Sequence, residues 1–292
     1  MNFVKDSVKL VDLAEPGRKI EYAGRVCYKS QDKITDESYI RFISNIVKSQ
    51  HLSVLEHETK LFMFDEELYN NNWCNNFNEE HYFNISRENK KVFVSGNIRA
   101  WYNLLGKLDD NSDLFLKGLS TYLYQDYPYI FKDFDIHPKC KYGHEAEEEC
   151  ENLGPHKLYT FEIVGSRSFT HQIVRHRTLS FSQESQRYTN FFSNKFNHSI
   201  RYISNVIPPN SEDLLQEIED RYFQLIESGM KPEDARQILP NCAASTIVVS
   251  GTLDNWKKFL NLRCDTHAQR EIREIAETIM HYLHLTKQDI GK

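Results

Sequence analysis

Two different periods run through the apolar residues of this chain, and together they require a fold that combines helices with a sheet. Tyr39, Ile40, Phe42, Ile43, Ile46 and Val47 fall on one face of a predicted helix that Asp36 caps and that ends near His51. A second predicted helix runs from Ser211 to Gly229, with Leu214, Leu215, Ile218, Tyr222, Leu225 and Ile226 on its face. A third starts at Asp265 and carries Ile272, Ile275, Ile279 and Leu283. Shorter helices are expected around residues 16–29 and between Pro232 and Pro240. Between these lie strand-like runs at 58–65 and 158–165, the latter followed by a helix starting near Ser168 or Thr170. The expected fold is α+β, a small and largely antiparallel sheet packed by long helices.

The pattern breaks near residue 66. An Asn-rich stretch from Tyr69 to Asn76 opens the break, and an acidic, turn-rich tract from His144 to Pro155 closes it. One helical segment (97–105) and one aromatic-rich segment (112–132) lie between. Residues 66–157 are therefore read as an insertion between 1–65 and 158–292. One echo crosses that division: Val94-Ser95-Gly96-Asn97-Ile98-Arg99-Ala100-Trp101 resembles Val249-Ser250-Gly251-Thr252-Leu253-Asp254-Asn255-Trp256. Both fit a strand, a glycine turn, a cap and a helix, and chance and duplication explain the echo equally well.

Charge is distributed unevenly. The chain has 36 Lys and Arg against 42 Asp and Glu, a net charge of −6, which excludes a generally basic nucleic-acid coat. From Ile163 to Arg187, however, four arginines (Arg167, Arg175, Arg177, Arg187) face one acid, Glu184. His171, His176 and several hydroxyl and amide side chains are interleaved. Guanidinium forks among neutral donors suit a phosphate or another planar oxyanion, each charge-assisted bond contributing roughly 1.5–3 kcal/mol. The six cysteines are scattered, no apolar run approaches the length of a membrane span, and Met1-Asn2-Phe3-Val4-Lys5-Asp6 does not resemble a secretory leader. Reduced thiols in a cytoplasmic protein are expected.

Within the basic window the letters match a family. Arg175-His176-Arg177, seven residues and then Ser185 form the RHR-x7-S signature of flavin-dependent thymidylate synthases, and Gln186-Arg187-Tyr188 extends it. His51-Leu52-Ser53-Val54-Leu55-Glu56-His57 resembles that family's His-x5-His segment. Ala235 to Pro240 and Phe259 to Gln269 resemble its downstream blocks. The resemblance covers 1–65 and 158–292. It implies methylation of dUMP to dTMP, with methylenetetrahydrofolate as carbon donor and NADPH reducing a bound FAD. It also implies dUMP contacts at Gln172, Arg175, Gln183, Glu184, Ser185, Gln186, Arg187, Arg236 and Arg263. Arg263 is the catalytic member, a fixed cation facing the uracil. The implied FAD contacts are His51, Ser53, Arg175, His176, Arg177, Gln183, Thr252 and Lys258. Thr252 and Lys258 stand where the family often has Asn, and Ser182-Gln183 where other members have Asn-Glu. A homotetramer with shared sites is implied, with no nucleic-acid or membrane partner.

Competing readings are weaker. Ser185 has no evident activating base, so it is assigned a positioning role. Cys242 lacks the Pro-Cys-His context of the cysteine-dependent thymidylate synthases. His137, Cys140, His144, Cys150 and His156 do not follow the spacing of a common zinc module, and no metal is expected. The alternative function is an RNA- or single-strand-binding module, suggested by arginines in a chain that is 13% aromatic.

Overall fold

The computed structural model describes the chain apart from residue 68 and residues 70–81, 108–113, 135–142, 147–149 and 194–195, and apart from the side chains of 114–116 and 143–145. Most of the Asn-rich stretch therefore lies outside the described residues. The protein is α+β. Its strands are β1 (Asn2–Val4), β2 (Ser7–Leu10), β3 (Thr59–Asp65), β4 (Phe83–Glu88), β5 (Lys91–Asn97), β6 (Gly143–Glu145), β7 (Leu158–Ser166), β8 (Ser180–Gln183), β9 (Arg201–Ile203) and β10 (Ala244–Thr252). Its helices are α1 (Arg18–Cys27), α2 (Ser38–Lys48), α3 (Ile98–Leu105), α4 (Leu114–Asp126), α5 (Pro128–Phe131), α6 (Arg167–Ile173), α7 (Glu212–Glu227), α8 (Pro232–Ala235), α9 (Leu253–Arg263) and α10 (Arg270–Tyr282). A 3-10 turn covers Leu52–His57.

Two helix starts differ from expectation, and a third falls beside the expected Ser168. Glu37 rather than Asp36 occupies the cap position of α2, because Ser38 turns back and its Oγ accepts from Thr35 N at 2.8 Å. Ser166, the last residue of β7, caps α6 by accepting from Phe169 N at 3.0 Å. The final helix starts at Arg270, since Asp265 is engaged elsewhere, accepting from Lys292 Nζ at 2.6 Å and from His267 N at 3.0 Å.

The described strands form two four-stranded antiparallel sheets, with β1 and β9 as a separate parallel pair. One sheet runs β4-β5-β3-β6 and the other β8-β10-β7-β2, so each strand of the first has a counterpart in the second. The correspondence reaches single residues. Thr59 faces Asn97 in one sheet and Leu158 faces Thr252 in the other. Asn97 and Thr252 both cap the helix that follows, accepting from Ala100 N and Asn255 N. Trp101 Nε1 donates to Lys60 O at 3.2 Å, and Trp256 Nε1 to Tyr159 O at 3.0 Å. Gly96 and Gly251 lie under Phe83 and Leu179 so closely that a Cβ would collide with either side chain. The echo in the sequence is thus one part of a repeated unit.

The two units exchange parts. β2 precedes β3 in the chain yet pairs with β7, while β6 precedes β7 yet pairs with β3. The histidines two residues ahead of β3 and β7 cross over in the same way. His57 bonds Ser182 and Ser250 of the second sheet, at 2.9 and 2.7 Å. His156 bonds Ser86 and Ser95 of the first, both at 2.8 Å. The described part of 66–157 is built into this arrangement: β4, β5 and β6 pair around β3, and Leu119, Leu123 and Phe131 share a core with Ile20, Ile43 and Phe62. The second sheet packs a core of its own, in which Phe161, Ile247 and Val249 meet Phe259, Ile272 and Ile279.

Candidate active site

The second unit holds the basic window. Ser166 ends β7, and its amide and hydroxyl donate to the buried carboxylate of Glu271 on α10, at 2.7 and 2.6 Å. That anchor fixes α6, which presents Gln172 to Gln269. Past the helix, His176 is half-buried edge-on to Phe259, with ring centroids 4.9 Å apart. Its Nε2 accepts from Arg263 Nε at 2.9 Å. Burial, with the neighbouring Arg263 guanidinium, pushes the His176 pKa down to about 4, so the ring is neutral at pH 7 and free to accept. Arg263 keeps both terminal nitrogens without a partner among the described residues. Arg175 and Arg177 flank His176 as exposed side chains and have no carboxylate partner among the described residues.

The chain next enters β8. The Gln183 amide donates to Thr170 Oγ1 and to Ser245 Oγ, both at 3.0 Å, which joins the strand to α6 and to β10. Glu184 turns inward and is 2% exposed. Its Oε2 accepts from Lys29 Nζ at 3.1 Å, Arg201 at 2.8 Å and Thr246 N at 3.0 Å. Burial lowers the Lys29 pKa, and Glu184 opposes that shift. Ser185 N donates to Cys27 O at 2.9 Å, and Arg187 reaches Glu233 at 3.6 Å. Arg236 donates to Glu233 O at 3.2 Å. Burial, with Arg236 nearby, lowers the Arg167 pKa. Glu184 Oε1 and Gln186 Nε2 are buried with no partner among the described residues.

The structure therefore gathers Gln172, His176, Gln183, Ser185 and Arg263 around α6, β8 and α9, with Arg187 and Arg236 beside Glu233. Oε2 of the buried Glu184 is held by Lys29 and Arg201, neither of which sequence reasoning identified. No local pattern marks them, because the three residues meet only through the tertiary fold. Thr252 is buried, and its hydroxyl caps α9. Lys258 is exposed on the same helix, and His51 and Ser53 are exposed at the 3-10 turn. That turn packs against β8 through His57. Cys242 is half-buried, and burial raises its thiol pKa, the opposite of an activated nucleophile.

A cleft of about 850 Å³ opens between the starts of β3 and β7, lined by Lys19, Glu58, Lys60, His156 and Lys157 among others. It shares no residue with the arginine-rich site. Of the zinc candidates, His137 and Cys140 and the side chain of His144 lie outside the described residues. His156 has both ring nitrogens bonded to serines. Among the described residues no group of three His, Cys, Asp or Glu is placed to hold a metal, and no helix is long and apolar enough to cross a membrane.

The family model described as thymidylate synthase complementing protein matches residues 9–66 and 143–286, more than half of the chain. The chain belongs to that family. The matched segments include both the His51–His57 turn and the arginine-rich site, and they leave out 67–142. A protein of Geobacter sulfurreducens called flavin-dependent thymidylate synthase is 38% identical over 138 residues, 46% of this chain and 57% of its own length. One of the same name from Pyrococcus horikoshii is 40% identical over 157 residues, 49% of this chain and 60% of its own. A third, from Sulfolobus acidocaldarius, is 37% identical over 130 residues, 41% and 47%. The chain spans about half the length of the curated relatives it matches.

Proposed function

We propose that the protein makes dTMP from dUMP, with methylenetetrahydrofolate as carbon donor and NADPH as the source of reducing equivalents. The observation that carries this reading is the pairing of Arg263 with neutral His176, beside Arg175 and Arg177, which have no carboxylate partner among the described residues. Family membership weighs against the single-strand-binding alternative. A flavin fits these residues: two exposed guanidinium groups without carboxylate partners, on either side of a half-buried ring, suit a pyrophosphate. When bound, FAD supplies the hydride. Arg175, His176 and Arg177 hold it in this reading, with His51 and Ser53 on the facing edge.

The nucleotide phosphate is assigned to Arg187, Arg236 and the Ser185–Gln186 loop, where the unpartnered Gln186 amide is available as a donor. His176 occupies Arg263 Nε, which leaves the guanidinium fork aimed by a neutral acceptor. A permanent cation held in this way stabilises negative charge developing on the uracil without itself titrating. Glu184 keeps the loop in place from behind. Because His51 and Ser53 are exposed, they are available to a site completed between copies of the chain, which supports a homotetramer with shared sites. Scattered cysteines with no disulfide pattern fit a cytoplasmic setting for it.

Supplying dUMP, methylenetetrahydrofolate, NADPH and FAD should yield dTMP, and a folded, flavin-loaded protein that forms none would overturn the reading. Arg263→Ala should lower turnover by about 10²-fold or more while FAD stays bound. Near-normal turnover in that variant would remove Arg263 from its role.

A further inference from the structure

We propose that His57 is a positioning residue, which holds the strand carrying Gln183 and the turn carrying His51 and Ser53 at a fixed spacing. Its effect on catalysis rests on the reaction assigned above, whereas its effect on the loop does not. His57 is fully buried, and each ring nitrogen has one serine partner, Ser250 on β10 and Ser182 on β8. Ser250 Oγ is bonded in turn to Thr160 Oγ1 at 2.7 Å, so the chain of hydrogen bonds crosses β7, β10 and β8. A neutral imidazole has one donor and one acceptor, so it must accept at one serine and donate at the other. The ring is thereby fixed in one orientation, and so is the Ser182 hydroxyl. Gln183 follows Ser182 directly, and the Glu184–Arg187 loop follows Gln183. On the other side, the turn ending at His57 begins next to His51. One side chain therefore ties two walls of the site that come from different units.

The molecule contains its own control. His156 is as buried as His57 and makes the equivalent bonds to Ser95 and Ser86. There the strand past Ser86 ends in the two-residue turn Asn89-Lys90 instead of an arginine-bearing loop. A merely structural histidine should matter equally at the two positions.

His57→Gln and His156→Gln can be compared by amide hydrogen exchange of peptides spanning 180–190 and 84–92, and by steady-state kinetics. His57→Gln should speed exchange across 183–187 by about tenfold or more and raise the KM for dUMP about tenfold, with kcat within about twofold. His156→Gln should speed exchange only in 84–92 and leave the KM within about twofold of the parent. If either variant fails to fold, Ser182→Ala and Ser86→Ala remove one bond from each network and should reproduce the contrast. Equal effects of the two histidines on 183–187, or none from His57→Gln, would overturn the proposal. A parent protein that forms no dTMP overturns the assigned reaction, and the exchange comparison still decides the role of His57.

Discussion

Glu88 and Glu184 occupy the same place in the two units, each two residues past a serine that a histidine holds, and the chain treats them in opposite ways. After Glu88 it reverses within Asn89 and Lys90, both in the left-handed region with φ of 50° and 63°, and enters β5. After Glu184 it runs from Ser185 to Ala243 before entering β10, gathering Arg187, Arg201 and Arg236 along the way. Glu88 accepts from the backbone amides of Glu151 and Asn152, at 3.1 and 3.2 Å. Glu184 accepts from two cations as well as one amide. The frame of sheets, caps and tryptophans is common to both units. The second unit alone lengthens this connection, and the inward carboxylate is the adaptation that lets a cation-rich loop rest on a buried surface.

The largest effect should separate these two carboxylates. Glu184→Gln leaves Lys29 and Arg201 half-buried without a counter-charge and should cost about 3–5 kcal/mol. Glu88→Gln loses acceptor strength toward two amides and should cost about 1 kcal/mol. Denaturant titration of both variants measures the gap, and equal costs would break the comparison.

Local pattern made the elements legible, and their partnership was not. The strand-like runs at 58–65, with only partial alternation, and 158–165, and the helices from Asp36 to near His51 and over 211–228, were readable because apolar runs and stripes are short-range. The arginine window was readable because four guanidinium groups stand close together in sequence. The exchange of β2 and β6 was not, since nothing in Ser7–Leu10 names Phe161–Val164 as its partner across so many residues. For the same reason nothing in the sequence shows that Glu184 meets Lys29 and Arg201. The final helix looked longer because Asp265 is a good cap residue, and only the fold shows that Lys292 and His267 occupy it.

A second effect should be shared by both units. Burial pushes the pKa of His57 down to about 3 and that of His156 to about 4, from an ordinary 6.5. The unfolded chain takes up protons below pH 6.5 while the folded chain keeps both rings neutral. Stability is therefore complete above pH 6.5 and falls as the pH drops toward 4, by about 1.4 kcal/mol per pH unit for each ring. Thermal unfolding across pH 4–7 should show this slope, and His57→Gln and His156→Gln should each flatten it by a similar amount. A slope that responds to one histidine alone would sharpen the difference between the units.

The smallest effect tests whether the caps are alike. Asn97→Ala and Thr252→Ala should each cost about 1 kcal/mol. If Thr252→Ala instead spares stability and weakens FAD binding, its hydroxyl serves the flavin rather than α9.

The exchanged strands also set a timetable for synthesis. A ribosome delivers the strands in chain order, and the first sheet can assemble once Gly143–Glu145 has emerged. β2 must wait for Leu158–Ser166, and β1 for Arg201–Ile203. β1 and β2 are thus made before the strands that seat them, and they stay unpaired while the first sheet can already form. β1 and β2 work as the closing latch of the molecule, so a change in either strand burdens the last step of folding rather than the first.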